Sequence, residues 1–358
     1  MVLYSSLLCF YFILAVSNLI PENIDERKRK KIYFLVMLPI FALIAFRANT
    51  VGADTYSYSY LYEKYGARSL TASLQSNTWL EAGYIFSNYV FYHLGISYYG
   101  FQIIVGVFYL VSFYWFLDRY STNIGLSCFL IVARQGMFGM MNQTRMWLAI
   151  CVLLFAVDSI KNRRTVKFIL LTLLASTFHR SALSILLLYI IVNKRRNKQL
   201  FRILYIIICI GVAMLGNSFF RVVTSILGSY ENYNVIQGDV KLASIVSLSG
   251  YLIFLLSIIL VKAQSQEQFE YHEFSIDVIV CTIGLSIIGL RSVVMGRIIS
   301  YFTVYLYGLV PTEIRQISFA SNRRIIAFVV VAMFTILFFA TMILRPNWDR
   351  VIPYSFMF

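Results

Sequence analysis

A succession of apolar stretches runs along this chain, and most of the lysines and arginines fall in the short connections between them. A bilayer crossing takes about 20 mostly apolar residues. Spans are expected near 2–20, 32–46, 98–117, 123–141, 145–160, 201–217, 243–261, 275–290, 298–311 and 325–344. The stretch 167–193 is apolar but interrupted at Phe178-His179-Arg180-Ser181, with basic residues at both ends. Two short helices or a re-entrant hairpin both fit it, and either returns the chain to the side it left. The expectation is an all-α polytopic membrane protein of about 10–12 transmembrane helices, organised as a single domain over 1–358. The first stretch lacks a basic leader and a small-residue cleavage site, so it reads as a membrane helix and not as a signal peptide.

Charge supports the same class. Only 13% of the residues are charged, against roughly 25% in a soluble domain. The net charge of +15 does not call for nucleic acid, because no basic stripe interleaves with a soluble fold. With 22–31 placed in the cytoplasm and sides alternating, that side collects nearly twice as many basic residues as the other, which is the positive-inside bias. Cys9, Cys128, Cys151, Cys209 and Cys281 are scattered through apolar runs with no metal-ligand or redox spacing, so they read as packing residues. No metal site, cofactor motif, Walker A motif or internal repeat is legible.

Two outer connections are long. Residues 47–97 contain an amphipathic segment at 81–94 whose Tyr84, Phe86, Tyr89 and Phe91 fit an interfacial helix. Residues near 218–242 carry Tyr230, Tyr233 and Asn234, which fit either sugar stacking or an ordinary aromatic belt.

The same outer face receives Arg47, Arg145, Arg291, Arg297 and Arg345 beside apolar helices, together with Asp54, Glu81 and His179. Charge beside hydrocarbon is costly and is usually kept for a ligand or partner. Planar guanidiniums suit bidentate capture of phosphate, which points to an anionic, lipid-linked substrate. Each residue also has a plain reading. Arg47 could be a topology anchor next to a turn at Gly52, Glu81 a helix cap, and Arg291 and Arg297 snorkelling anchors. His179 could make a structural hydrogen bond. In their functional reading, Arg145, Arg291 and Arg297 clamp a diphosphate with His179 as a supporting donor, and Asp54 or Glu81 orients or deprotonates an acceptor hydroxyl.

The order of these pieces resembles a known family. Arg47, Gly52-x-Asp54 and Tyr56 come first, then Glu81-x-Gly83-Tyr84, Arg145-x-x-x-Ala149 and Ala175-x-x-x-His179-x-Ser181. Gly296-Arg297-Ile298-Ile299-x-Tyr301-Phe302, Pro311 and Ile352-Pro353-Tyr354 follow. Together they are similar to the EpsG family of Wzy-like polysaccharide polymerases. The resemblance implies a glycosyltransferase with a GT-C-like helical arrangement in the bacterial cytoplasmic membrane, its site facing the periplasm or cell exterior. It implies donor and acceptor oligosaccharides carried on undecaprenyl diphosphate, arginines in place of a metal, and a chain-length-regulating copolymerase as a candidate partner. It carries Arg47, Asp54, Glu81, Arg145, His179 and Arg297 into the site, while Arg291 rests on charge alone. The competing readings are a ligase that moves lipid-linked glycan to another acceptor and a non-enzymatic transporter of the same lipid.

Overall fold

The computed structural model describes residues 1–17, 24–76, 80–194, 196–215, 242–261, 263, 265–290, 292, 295–344 and 349–358. These residues form α-helices and one 3-10 turn, with no strand among them. The protein is an all-α polytopic membrane protein. Long helices present apolar faces outward. Leu204, Ile207, Ile208 and Met214 on Lys198–Leu215 are exposed, as are Phe328, Ile336 and Ile343 on Ala320–Leu344. In water such faces would be aggregation-prone patches, whereas in hydrocarbon they face their solvent.

By length and composition, four helices among the described residues can cross a membrane: Tyr98–Tyr120, Lys198–Leu215, Gln266–Ile288 and Ala320–Leu344. Ile124–Ala133 with Gly136–Asn142 makes a fifth if the pair, bent by 57°, is one span. Several of the other expected spans are shorter or broken helices among the described residues, for local reasons. The stretch 123–141 breaks where Gln135 adopts φ +59. The stretch 145–160 is broken by a turn at Phe155 and Ala156, which separates the helix Thr144–Leu154 from the short helix Val157–Lys161. The helix Glu26–Ala45 spends its first turns on Arg27, Lys28, Arg29, Lys30 and Lys31. The interruption expected within 167–193 is present: Thr165–Ser176 ends, a 3-10 turn spans Arg180–Ile185, and Leu186–Asn193 follows.

The chain divides into two compact units. The first comprises 1–159, 165–183 and 327–358. Its frame is α1 (Val2–Val16), α2 (Glu26–Ala45), α6 (Tyr98–Tyr120), α7 (Ile124–Ala133), α8 (Gly136–Asn142) and α9 (Thr144–Leu154). Between α2 and α6 lie three shorter helices, α3 (Thr55–Gly66), α4 (Leu70–Gln75) and α5 (Ala82–His93). Helices α2 and α6 pack antiparallel. Asp25 caps α2 by accepting from the amides of Arg27 and Lys28, satisfying donors the helix leaves open. At that end Arg29 pairs with Asp118 at 2.9 Å, and Tyr33 donates to Ser121 O. At the other end Gln102 Nε2 donates to Ala45 O and Arg47 O, each at 2.8 Å. One side chain thereby serves two carbonyls left over where α2 stops.

This pairing gives the first unit two chemically distinct ends. Arg27–Lys31 and Arg119 gather at one. The start of α1, the end of α2, the start of α6 and the α8–α9 junction meet at the other, tied by Tyr4 Oη to Val351 O and Tyr109 Oη to Thr144 O.

The second unit comprises 160–164 and 184–326. Gln266–Ile288 is central to it, packed by Lys198–Leu215, Leu242–Ile259 and Met295–Gln316. Its ionisable side chains pair with one another. Asp277 lies 2.7 Å from Lys198 and 2.6 Å from Arg202, Glu273 lies 2.9 Å from Arg202, and His272 meets Glu313 at 2.9 Å. Such pairing is what lets ionised groups persist away from water.

Candidate active site

Glu81 immediately precedes α5, where a carboxylate is a natural cap, yet its side chain makes no capping bond. It turns away from its own helix. Oε2 accepts from Arg145 Nη1, and Oε1 accepts the backbone N–H of Arg180 at 3.2 Å. Both partners are almost sealed, with side chains 9% and 8% exposed for Arg145 and Glu81. Arg145 needs this anion twice over. It is a cation in the first turn of α9, the positive end of the helix dipole, and it is shielded from water. Tyr58 on α3 also lies against Arg145. Burial pushes the Tyr58 hydroxyl's pKa up, Arg145 opposing the shift, so the phenol stays neutral beside the guanidinium.

The tip of the interrupted stretch, at 177–180, is brought to this pair by backbone contact. Gly83 N donates to Thr177 O at 2.8 Å. A Cβ at Gly83 would sit 2.8 Å from that same oxygen, so only glycine lets α5 approach so closely. The tip then turns: His179 N bonds Ala175 O, the Arg180 amide reaches Glu81, and His179 Nδ1 lies 2.5 Å from Ser181 Oγ. His179 is buried within a hydrogen bond of a hydroxyl, and the backbone beside it is tied to the carboxylate that holds Arg145.

A second group lies on the loop between α2 and α3. Arg47 is only 2% exposed. Its Nη1 donates to Ile44 O and its Nη2 to Met141 O, the latter at 2.9 Å. This arginine therefore spends its donors on backbone carbonyls at the ends of two helices. Its Nε and Gln102 Oε1 have no hydrogen-bond partner among the described residues. Both residues line a cavity of about 10 Å³ shared with Tyr84, Tyr98, Tyr109 and Thr144, which is room for about one water molecule and none for a sugar. Asp54 follows at the start of α3, exposed, with its side chain making no capping bond. It stands one helical turn before Tyr58, so α3 presents both on one face. Gly52, at φ +107, makes the turn between Arg47 and Asp54.

The structure thus brings Glu81, Arg145 and the His179 tip together and sets Arg47 and Asp54 in an adjoining loop of the same unit. Arg297 lies in the second unit, half-buried in the first turn of Met295–Gln316, with no ion pair among the described residues. Arg291, Arg345 and most of the 218–242 loop lie outside the described residues. Tyr58, Asn142 and Asp349 were missed from sequence. Asn142 accepts from Ala53 N through Oδ1 and donates through Nδ2 to Phe138 O at 3.0 Å and Asp349 Oδ1 at 3.3 Å. Helical spacing from Asp54 could have flagged Tyr58; nothing local flags Asp349. Among the described residues no three His, Cys, Asp or Glu side chains converge as a metal-ligand set.

A comparison with family models matches residues 30–356, nearly the whole chain, to the model described as EpsG family. No curated protein and no solved structure matches the chain.

Proposed function

The chain belongs to the EpsG family of Wzy-like polysaccharide polymerases, and from that premise we propose that it is a membrane glycosyltransferase. It joins undecaprenyl-diphosphate-linked oligosaccharide repeat units into a surface polysaccharide at the outer face of the bacterial cytoplasmic membrane. The observation that carries this reading is the buried Glu81–Arg145 pair, at the end of the first unit opposite Arg27–Lys31. A guanidinium costs much to seal away and suits an anionic ligand. The basic end would face the cytoplasm by charge bias, which turns the pair outward.

In the reaction, the acceptor sugar hydroxyl attacks the anomeric carbon of the donor. The C–O bond to the lipid diphosphate breaks, its electron pair leaves on the diphosphate, and the hydroxyl proton passes to a carboxylate. Arg145 stabilises the charge that grows on the departing diphosphate, with His179 as a supporting donor; Arg297 and Arg291 are candidates for the same role from the sequence alone. Losing one donor of this type costs about two to three orders of magnitude in rate. Arg47, committed to two carbonyls, supports the loop beside the site. Glu81 or Asp54 receives the proton. Glu81 in addition serves as the resting counter-ion that the substrate diphosphate displaces on Arg145. The activated diphosphate bond supplies the driving force, so no nucleotide enters the step. A copolymerase partner would act on chain length and not on this chemistry.

The test is a gel of glycan products from purified protein in liposomes, fed lipid-linked repeat units from the host without nucleotide and with chelator present. A ladder of regular steps supports the polymerase. Transfer of one glycan to a different acceptor makes it a ligase, and lipid movement without bond formation makes it a transporter.

A further inference from the structure

The segment 349–358 lies along the whole length of the Arg47–Asp54 loop. Met357 N donates to Phe46 O at 3.0 Å, Ala48 N to Ser355 O at 2.9 Å, Gly52 N to Arg350 O at 2.9 Å and Ala53 N to Asp349 O at 3.0 Å. Arg47 and Phe356 form an antiparallel bridge, and Thr50 Oγ1 lies 3.3 Å from Ser355 Oγ. Two tyrosines pin the segment to the frame, Tyr4 through Val351 O and Tyr354 through Leu43 O, both at 2.9 Å. Arg350 sits at φ +47, a left-handed conformation that non-glycine residues rarely adopt and that persists where surrounding contacts impose it. Here its carbonyl is aimed at Gly52 N.

Side-chain bonds close the arrangement beside Asp54. Asp349 Oδ1 accepts from Asn142 Nδ2, and Asn142 Oδ1 accepts from Ala53 N, the amide just before Asp54. The Ala53 amide is thus shared between Asp349 O and Asn142 Oδ1, while the Asp349 carboxylate fixes which way the Asn142 amide faces. Were Asn142 turned over, its NH₂ would oppose the Ala53 N–H.

We propose that the segment 349–358 is a strap that fixes the Arg47–Asp54 loop, and that Asp349 is its positioning residue, orienting Asn142 so that Ala53 and Asp54 are held at the site. Asp349 acts through its acceptor oxygen and through the backbone, not by touching substrate. The activity arm of the test rests on the polymerase reading above; the structural arm does not.

Val51, fully buried in the middle of the loop, is the reporter. In full-length protein carrying Val51→Cys and reconstituted in liposomes, labelling by a membrane-impermeant maleimide is expected to be slow. Adding Asp349→Ala should speed it by about tenfold or more, through local opening of the loop. Asp349→Asn keeps the acceptor oxygen and should leave labelling slow. In the ladder assay, without the reporter, Asp349→Asn should stay within about threefold of the parent, reflecting only the weaker neutral hydrogen bond, while Asp349→Ala should lose the ladder. A Thr50→Cys/Ser355→Cys pair should form a disulfide in the otherwise unaltered chain. Absence of that disulfide, or Val51→Cys labelling that Asp349→Ala does not change, overturns the strap. Loss of activity in Asp349→Asn equal to that in Asp349→Ala overturns the positioning role. If the parent makes no ladder, the polymerase reading falls and labelling alone decides the strap.

Discussion

Removing the Glu81 charge tests the central pair most directly, and the structure sets both the size and the asymmetry of the effect. With both side chains less than a tenth exposed, Glu81→Gln strands a guanidinium that cannot shed its proton. Breaking a buried pair in this way costs about 3–5 kcal/mol. Arg145→Met strands a carboxylate instead, but Glu81 keeps the Arg180 amide at 3.2 Å, and a carboxylate, unlike a guanidinium, can take up a proton. Its cost should therefore be smaller than that of Glu81→Gln. The double variant leaves neither charge stranded and should be more stable than Glu81→Gln alone, giving a coupling energy of about 2–3 kcal/mol, at the upper end of the range for directly contacting residues. Reversible unfolding in mixed micelles at increasing denaturing-detergent fraction measures all four corners of the cycle. The glycan ladder, read on the same preparations, should be lost in all three variants, including the stable double variant. Costs that add within about 0.5 kcal/mol, as for distant sites, would refute the counter-ion argument, and a ladder from the double variant would refute the clamp.

Other outcomes follow from individual contacts. Arg297 has no ion pair among the described residues, so Arg297→Ala should shift stability by no more than about 0.5 kcal/mol while removing long glycan chains; normal chain lengths on the gel would take it out of the clamp. Gly83→Ala would press a methyl against Thr177 O. It should destabilise by about 1–3 kcal/mol, as overpacking does, and weaken polymerisation, read by unfolding and by the ladder. Burial, and then neighbouring Asp54, raises the Asp349 carboxyl from its usual 3.8 to about 6. Between those values the folded protein holds a proton that the unfolded chain releases, so this group's stabilising contribution is complete below about pH 4 and lost as pH rises through about 6. Asp349→Asn should flatten that part of the stability–pH profile, and an unchanged profile would reject the assignment.

The helical membrane class was legible because it depends on composition over whole segments, whereas the number of full spans depends on single residues. Hydropathy averages across 123–141 and sees one stretch. The structure breaks it at Gln135, whose positive φ is a property of one torsion and leaves no mark on a window average. The reverse happened in 47–97: a helix was legible there at 81–94, where α5 forms, but the Tyr- and Ser-rich stretch before it also folds, into α3 and α4. Buried Tyr58, Tyr62 and Tyr65 recur there at helical spacing, a signal that the polar residues between them obscure. For the site, residue type and position brought Glu81, Arg145 and His179 into view, but local rules could not choose between capping and pairing for Glu81. That choice depends on Arg145, 64 residues away. Asp349 is a stronger case, because its side-chain partner Asn142 is 207 residues distant and nothing in its own neighbourhood marks it. A residue whose work is to orient another through one hydrogen bond needs no special chemistry, only the right place in three dimensions. For this reason the charged members of the site could be named from sequence and the residues that aim them could not.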